Sequence, residues 1–242
     1  MLPVLLGLAT VAAQIAFPLV DGDALRDVTI AVVVLFAAAN VAHAWAHRGA
    51  AWAVGLLVLT AGFGLVVEAI GVRTGLPFGD YGYDDSLGTR LLDVPLIVPL
   101  AWTMTAYPVL LAARSLSYRW APVLGAVGLA GWDVFIDGQM VDDGRWQWSD
   151  PTPVVPGVPG LPLSDVAGWL VAGLVLMALL HAVLPHQRAS QAVPGALYLW
   201  TFAAYVVGNV FFFGQASVAV TGGVVMGLLA VPYAWWLWQE RP

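Results

Sequence analysis

Trp52-Ala-Val-Gly-Leu-Leu-Val-Leu-Thr-Ala-Gly-Phe-Gly-Leu-Val-Val-Glu-Ala-Ile-Gly-Val72 is an apolar run long enough to cross a bilayer as an α-helix. Its one charged residue is Glu68, about one turn before the end of the run. A carboxyl group next to hydrocarbon is costly unless it is paired, hydrated or protonated. The stretch therefore predicts a transmembrane helix with a candidate functional residue near its end.

Similar runs recur along the whole chain, which is 60% hydrophobic and only 10% charged. We predict an all-α fold, a polytopic transmembrane helix bundle that forms one integral membrane domain over residues 1–242. The short Gly214-Gln215-Ala-Ser217 connection leaves two alternatives, eight spans or seven spans with a re-entrant segment. The eight predicted spans are Leu2–Val20, Val28–Ala46, Trp52–Val72, Val94–Ala113, Trp120–Ile136, Val166–Leu184, Gly195–Phe213 and Val218–Trp238.

The alternation of spans predicts which residues share a side of the membrane. The termini would lie with Arg48, Arg114, Arg119, Arg188 and Arg241, and the positive-inside rule makes that side of the cell membrane cytoplasmic. The bias is small, because Arg26, Arg73, Arg90 and Arg145 fall on the opposite side. That opposite side also carries two long loops, at about Arg73–Asp93 and Asp137–Asp165.

Six carboxyl groups are expected on the side of the long loops, namely Glu68, Asp80, Asp93, Asp133, Asp137 and Asp165. Asp133 and Asp137 share a helix face at i, i+4 spacing, where two like charges repel and one group can keep its proton. That arrangement suits an acid and base pair, although Asp137-Gly138 can also be an ordinary helix end. Asp93 fits either a functional or an N-capping role, and capping is the preferred interpretation for Asp165.

The two loops are rich in aromatic residues, with glycine and proline at the turns between them. Such side chains can form an interfacial aromatic belt. Because so many acidic residues flank them, we favour the interpretation that they form the lid of a pocket. The candidate substrate-binding residues are Phe78, Asp80, Tyr81, Tyr83, Trp102, Trp132, Trp146 and Trp148.

Composition excludes several classes of protein. The chain has no cysteine, so it has no disulfide or thiolate metal site. All its basic residues are arginine, and a retinal Schiff base needs a lysine amine. A net charge of −6 offers no basic surface for nucleic acid. We predict no metal and no cofactor, with membrane lipid and water as partners.

The Asp133-x-x-x-Asp137 spacing also suits a magnesium-bound diphosphate, as in a UbiA-like intramembrane prenyltransferase. That alternative calls for a second aspartate-rich motif and several basic residues, whereas this chain offers one such motif and few basic residues on that side. A proton-coupled transporter would also use intramembrane acids, but the sequence shows no inverted repeat.

Several motifs together resemble the CruF-type carotenoid biosynthesis family. They are Glu68-Ala-Ile-Gly71, Thr74-Gly-Leu-Pro-Phe-Gly-Asp-Tyr-Gly-Tyr83, Val94-Pro-Leu-Ile-Val-Pro-Leu-Ala-Trp102, Gly131-Trp-Asp133, Trp146-Gln-Trp148 and Gly168-Trp169, in a core of about residues 64–184. Members include carotenoid 1,2-hydratases and the bisanhydrobacterioruberin hydratase of C50 pigment pathways. The resemblance implies a hydro-lyase (EC 4.2.1.-) that adds water to the terminal C=C bond of a bisanhydrobacterioruberin-like or lycopene-like acyclic carotenoid. Other enzymes of the carotenoid pathway are then candidate partners.

Such a hydration starts with protonation of the alkene to a tertiary cation. A carboxylic acid in a dry site can keep its proton at neutral pH and deliver it, and aromatic faces can stabilise the cation. We expect Glu68 or Asp133 to donate the proton, and the other, helped by Asp137 or Asp93, to position water as the base. The non-enzyme alternative is a carotenoid-binding membrane protein, for which buried acids have no use.

Overall fold

A computed structural model describes residues 1–240, and in them eight long helices form a transmembrane bundle, as predicted. The alternative of seven spans is wrong, because the last two segments are complete helices joined by a tight turn. Arg241 lies outside the described residues. The helices are α1 Leu2–Ala16, α2 Gly22–Arg48, α3 Ala50–Thr74, α4 Ile97–Leu116, α5 Ala121–Asp142, α6 Leu163–Val183, α7 Ala192–Phe211 and α8 Ala216–Gln239.

Some helix ends differ from the prediction. α5 continues to Asp142, so the predicted helix end at Asp137-Gly138 is wrong. Gly138 lies inside α5, where a Cβ atom would be 3.1 Å from the Val218 side chain, which indicates a packing role. The predicted capping role of Asp165 is also wrong, because Pro162 is the residue that precedes α6.

The start of α4 is delayed to Ile97 by a small hairpin. Strand β2 (Arg90–Leu91) pairs with β3 (Val94–Pro95) in antiparallel register. Asp93 lies in the turn between them with a positive φ of 70°, so it does not cap α4.

The centre of the bundle is formed by α4 and α5. In their apolar windows, 78% and 72% of residues are buried, against at most 44% in the other six helices. α5 packs against α6 and α8, and α4 packs against α3. Any group on the inner faces of these two helices is therefore shielded from both water and lipid.

Close packing of α5 on α8 depends on Gly131. A Cβ atom at this position would be 2.5 Å from the backbone nitrogen of Met226, which cannot move like a side chain. We expect Gly131→Ala to destabilise the protein by about 1–3 kcal/mol, the usual cost of overpacking. Gly62→Ala on α3 is the matched control, because nothing lies within 4 Å of its Cβ position. The measurement is thermal unfolding in detergent, followed by tryptophan fluorescence. Equal melting temperatures of the two variants would contradict the packing role of Gly131.

We call the side of the bundle with the connections 75–96 and 143–162 the loop side. Strand β1 (Tyr81–Tyr83) in the first connection pairs with β4 (Trp146–Trp148) in the second. The two strands of this antiparallel pair are more than sixty residues apart in sequence. Together they cover the loop side of the bundle. We call β1 and β4 together the lid.

Candidate functional site

The Glu68 carboxyl group is buried beneath the lid, with the residue only 4% exposed. Its Oε2 atom accepts hydrogen bonds from the hydroxyls of Tyr81 and Tyr83, the latter at 2.7 Å. Its Oε1 atom accepts a bond of 3.0 Å from the indole nitrogen of Trp102. Three neutral donors therefore surround one carboxyl group, and no cation is among them.

Gly64 makes this arrangement possible. It lies one helical turn before Glu68 on α3, and a Cβ atom there would be 2.5 Å from Cδ1 of Trp102. The glycine lets the Trp102 ring lie flat against α3 with its indole nitrogen next to the carboxyl group. The absence of a side chain at Gly64, four residues before Glu68, is thus needed to place Trp102 in the site.

The lid presents its aromatic side chains on one face. Backbone bonds flank the pair, from Ser149 to Asp80 and from Asp84 to Arg145, both at 2.8 Å. By the alternation of antiparallel ladders, the Tyr81/Trp148 and Tyr83/Trp146 pairs are then the close, non-hydrogen-bonded ones. Their ring centroids lie 5.8 and 5.6 Å apart.

Burial, together with the neighbouring Glu68 carboxyl group, raises the pKa of both the Tyr81 and the Tyr83 hydroxyls. Both phenols therefore stay protonated at any physiological pH, since a phenol normally ionises only near pH 10. They serve as permanent hydrogen-bond donors to Glu68.

Three aspartates form a second acidic group close to Glu68. Asp133 and Asp137 lie one turn apart on α5, and Asp165 lies in the first turn of α6. One oxygen from each lies within 4.8 Å of the others, and the residues are 2%, 5% and 1% exposed. The Oδ2 atoms of Asp133 and Asp165 have no hydrogen-bond partner. We call these three residues the aspartate triad.

Glu68 and the aspartate triad line the same cavity, whose volume is about 70 Å³. Among the described residues that line it there is no arginine or histidine. Carboxylates this close cannot all be ionised without a compensating cation, so at least one holds a proton or a cation lies between them. The aromatic lining residues are Phe78, Tyr81, Tyr83, Trp102, Trp146, Trp148 and Trp169. We call this space the acid cavity.

The triad is also the one place in the described part of the chain where three carboxyl groups could hold a metal ion. A divalent cation takes oxygen ligands of this kind. The described residues that line the acid cavity nevertheless include no arginine to bind a diphosphate, which the prenyltransferase alternative would need.

Three of the predicted site residues lie elsewhere. Asp93 is exposed and pairs with Arg73, with 3.0 Å between Oδ2 and Nη2. Asp80 is an exposed residue of the first long connection. Trp132 is fully buried but lies against Phe36 and Tyr198 instead of lining the acid cavity. Helical geometry explains the last case, since neighbouring residues on α5 point to different faces.

Asp165 and Trp169 line the acid cavity but were not among the predicted site residues, and the same holds for the smaller lining residues Val98, Ala101, Thr105 and Ile136. Trp169 stacks on Trp102 with ring centroids 4.2 Å apart and planes 11° from parallel. The available signal was the i, i+4 spacing of Asp165 and Trp169, which places both on one helix face. Gly168 between them lets the loop approach, because a Cβ atom there would be 2.6 Å from the carbonyl oxygen of Pro77.

Comparison with known proteins agrees with the resemblance seen in the motifs. The sequence model of the family described as "Carotenoid biosynthesis protein" matches residues 28–234. The bisanhydrobacterioruberin hydratase of Haloarcula japonica is 29% identical over 184 residues, which are 72% of this chain and 59% of that protein. The chain thus spans well under two thirds of that relative's length, and no solved structure matches it. Because the family match covers most of the transmembrane bundle and all of the acid cavity, the chain belongs to the carotenoid biosynthesis protein family.

Proposed function

We propose that the protein adds water to the terminal C=C bond of an acyclic carotenoid and so forms a tertiary alcohol. The observation that carries the proposal is that one cavity combines four buried carboxyl groups with an aromatic wall and, in the part of the chain that the structure describes, no basic side chain. An alkene needs a strong, dry acid, and the resulting cation needs stabilisation without a nucleophile that would trap it. The similarity to a protein named as a hydratase supports the same reaction.

Asp133 is the proposed proton donor. Its Oδ2 atom has no hydrogen-bond partner, and two further carboxyl groups lie beside it. A proton on one member of the triad relieves the repulsion among them, so the triad is a natural place to store it. Because Asp133 also lines the cavity, the proton can reach an alkene placed there.

Glu68 is the proposed base. Three donors on two oxygens suit the ionised carboxylate, which only accepts hydrogen bonds. Its negative charge would also stabilise the cation. The Trp102 and Trp169 rings, stacked on each other, extend the wall next to it and offer a π face.

The proposed steps balance as follows. The proton leaves Asp133 and bonds to the CH carbon of the terminal C=C bond. The π electrons of that double bond form the new C–H bond, and the other carbon becomes the tertiary cation. The tertiary cation is attacked by water, and the water proton passes to Glu68 as the C–O bond forms. Proton return from Glu68 to Asp133, directly or through water, restores the starting state without any net consumption of acid.

This acid–base scheme uses no metal, which makes a chelator informative. We expect the hydration rate of the purified enzyme to be unchanged after treatment with EDTA. If EDTA abolishes activity and Mg²⁺ restores it, the triad acts as a metal site and the proposed role of Asp133 is contradicted.

The proposed function is tested by expressing the chain in cells that accumulate lycopene or a C50 acyclic carotenoid, with an empty vector as control. Mass spectrometry of the extracted pigment should show a gain of the mass of one or two water molecules. The polyene absorption should be unchanged, since hydration of a terminal, unconjugated bond leaves the chromophore intact. Unchanged mass, or unchanged mass with a shifted spectrum, would contradict hydration.

A further inference from the structure

A second and larger cavity adjoins the acid cavity inside the loop-side half of the bundle. Its volume is about 140 Å³, and its walls come from α1, α2, α4, α5 and α7. Val33, Met104, Met140 and Ala204 are typical of its lining. We call it the apolar channel. Within residues 1–240, none that lines it carries a charge, so the proposed acid chemistry does not occur there.

Three of the polar side chains that line the apolar channel, those of Gln14, Thr29 and Thr201, form hydrogen bonds within the protein. Gln14 Nε2 donates to Thr201 Oγ1 at 3.1 Å, and Thr29 Oγ1 donates to the carbonyl of Leu25 at 2.7 Å. Gln14 Oε1 has no partner and leaves one free acceptor. A buried space of this kind is suited to a hydrocarbon, because a polar ligand would lose its hydration with little in return.

The apolar channel and the acid cavity share part of their walls. Val98 and Ala101 on α4, Ile136 on α5 and Trp146 in the lid line both. A long, thin molecule that passed these four side chains would lie in the channel with its end among the carboxyl groups. This shared wall with the acid cavity distinguishes the channel from an isolated packing defect.

We propose that the apolar channel holds the segment of the polyene chain next to the reacting end of the acyclic substrate, so that only the terminal C=C bond enters the acid cavity. This inference rests on the proposed function for the nature of the substrate. The lid then covers the reacting end, while the channel sets how far the chain can advance. The enzyme would place the bond by apolar contacts alone, without any polar handle on the substrate.

Two adjacent valines on α2 provide a matched test. Val33 lines the channel, whereas Val34 is 42% exposed on the outside of the bundle. Both are replaced by tryptophan in an Asp133→Asn background, so that bound pigment is not converted. The purified proteins are incubated with lycopene in detergent, and retained pigment is measured by absorbance after gel filtration. We expect Val33→Trp to retain about tenfold less lycopene, and Val34→Trp to match its parent.

A second pair of variants, on α7, repeats the test in case the first pair does not fold. Ala204→Phe fills the channel, and Val207→Phe adds the same ring at a position that is 47% exposed. Equal pigment retention in both members of each pair would overturn the proposal. So would mass spectra that show phospholipid, and no pigment, bound specifically to the parent protein.

The same variants with Asp133 intact separate this proposal from the proposed function. If the wild type hydrates carotenoid and Val33→Trp does so equally well, the channel proposal fails while the function stands. If the wild type hydrates nothing, yet only the channel-filling variants lose pigment, the binding proposal stands and hydration fails.

Discussion

Asp133→Asn is expected to reduce carotenoid hydration by about 10²–10⁴-fold, the usual contribution of a general acid. Asparagine is nearly isosteric with aspartic acid and carries no transferable acidic proton. The substitution also removes one carboxyl group from the triad, so folding should be kept or improved. The measurement is the rate of water incorporation into lycopene by purified enzyme, with protein recovery from membranes as the check on folding.

Asp142→Asn is the matched control for this variant. Asp142 is the last residue of the same helix and is exposed. Its replacement removes one negative charge from α5 without touching the acid cavity, so activity should be normal. Normal activity in Asp133→Asn would contradict the assigned proton donor, and loss of activity in both variants would show an effect of charge alone.

Glu68→Gln is expected to have an effect of similar size, about 10²–10⁴-fold on turnover, because a general base is lost. The amide adds a structural cost that Asp133→Asn does not have. The new side chain would present one oxygen and one NH₂ group to three donors, so at least one donor loses its acceptor, at about 1–3 kcal/mol. We therefore expect both slower hydration and a lower melting temperature, measured on the same preparation.

Tyr83→Phe separates these two effects of the Glu68 substitution. It removes one donor to Glu68 and keeps the carboxylate, so it should retain much more activity than Glu68→Gln. Asp93→Asn is a further control, since Asp93 is an exposed ion-pair partner of Arg73. If Asp93→Asn were as inactive as Glu68→Gln, the placement of the reaction in the acid cavity would be contradicted.

The sequence predicted that the site is acidic, but it did not predict which of the acidic residues belong to it. Glu68, Asp133 and Asp137 stand out because carboxyl groups are rare in apolar runs. Asp165 also lies beside an apolar run, yet Ser164-Asp165 at the start of a span favoured a helix cap over a functional role. Its burial beside α5 depends on the packing of α6 against α5, which is a contact between separate segments of the chain.

Asp93 is the opposite case, because it was predicted to belong to the site and lies outside it. Its place before Val94-Pro95 predicted a helix start near the other acids, but the β2–β3 turn carries it to the surface, where it pairs with Arg73. Local sequence does not determine such a turn, because the pairing of two-residue strands depends on what they pack against. Trp132 was predicted to line the pocket, but it lies against Phe36 and Tyr198 and does not line the acid cavity.

The sequence by itself determined a transmembrane bundle of seven or eight spans, the end of the bundle at which the acids lie, and the family. These follow from the thickness of the bilayer and from motifs that are continuous along the chain. Only the tertiary structure decided that the two long loops pair as one lid, that Glu68 is surrounded by three donors, and that an apolar channel adjoins the acid cavity. Those features are set by contacts between segments far apart in sequence, whose register and packing no local pattern specifies.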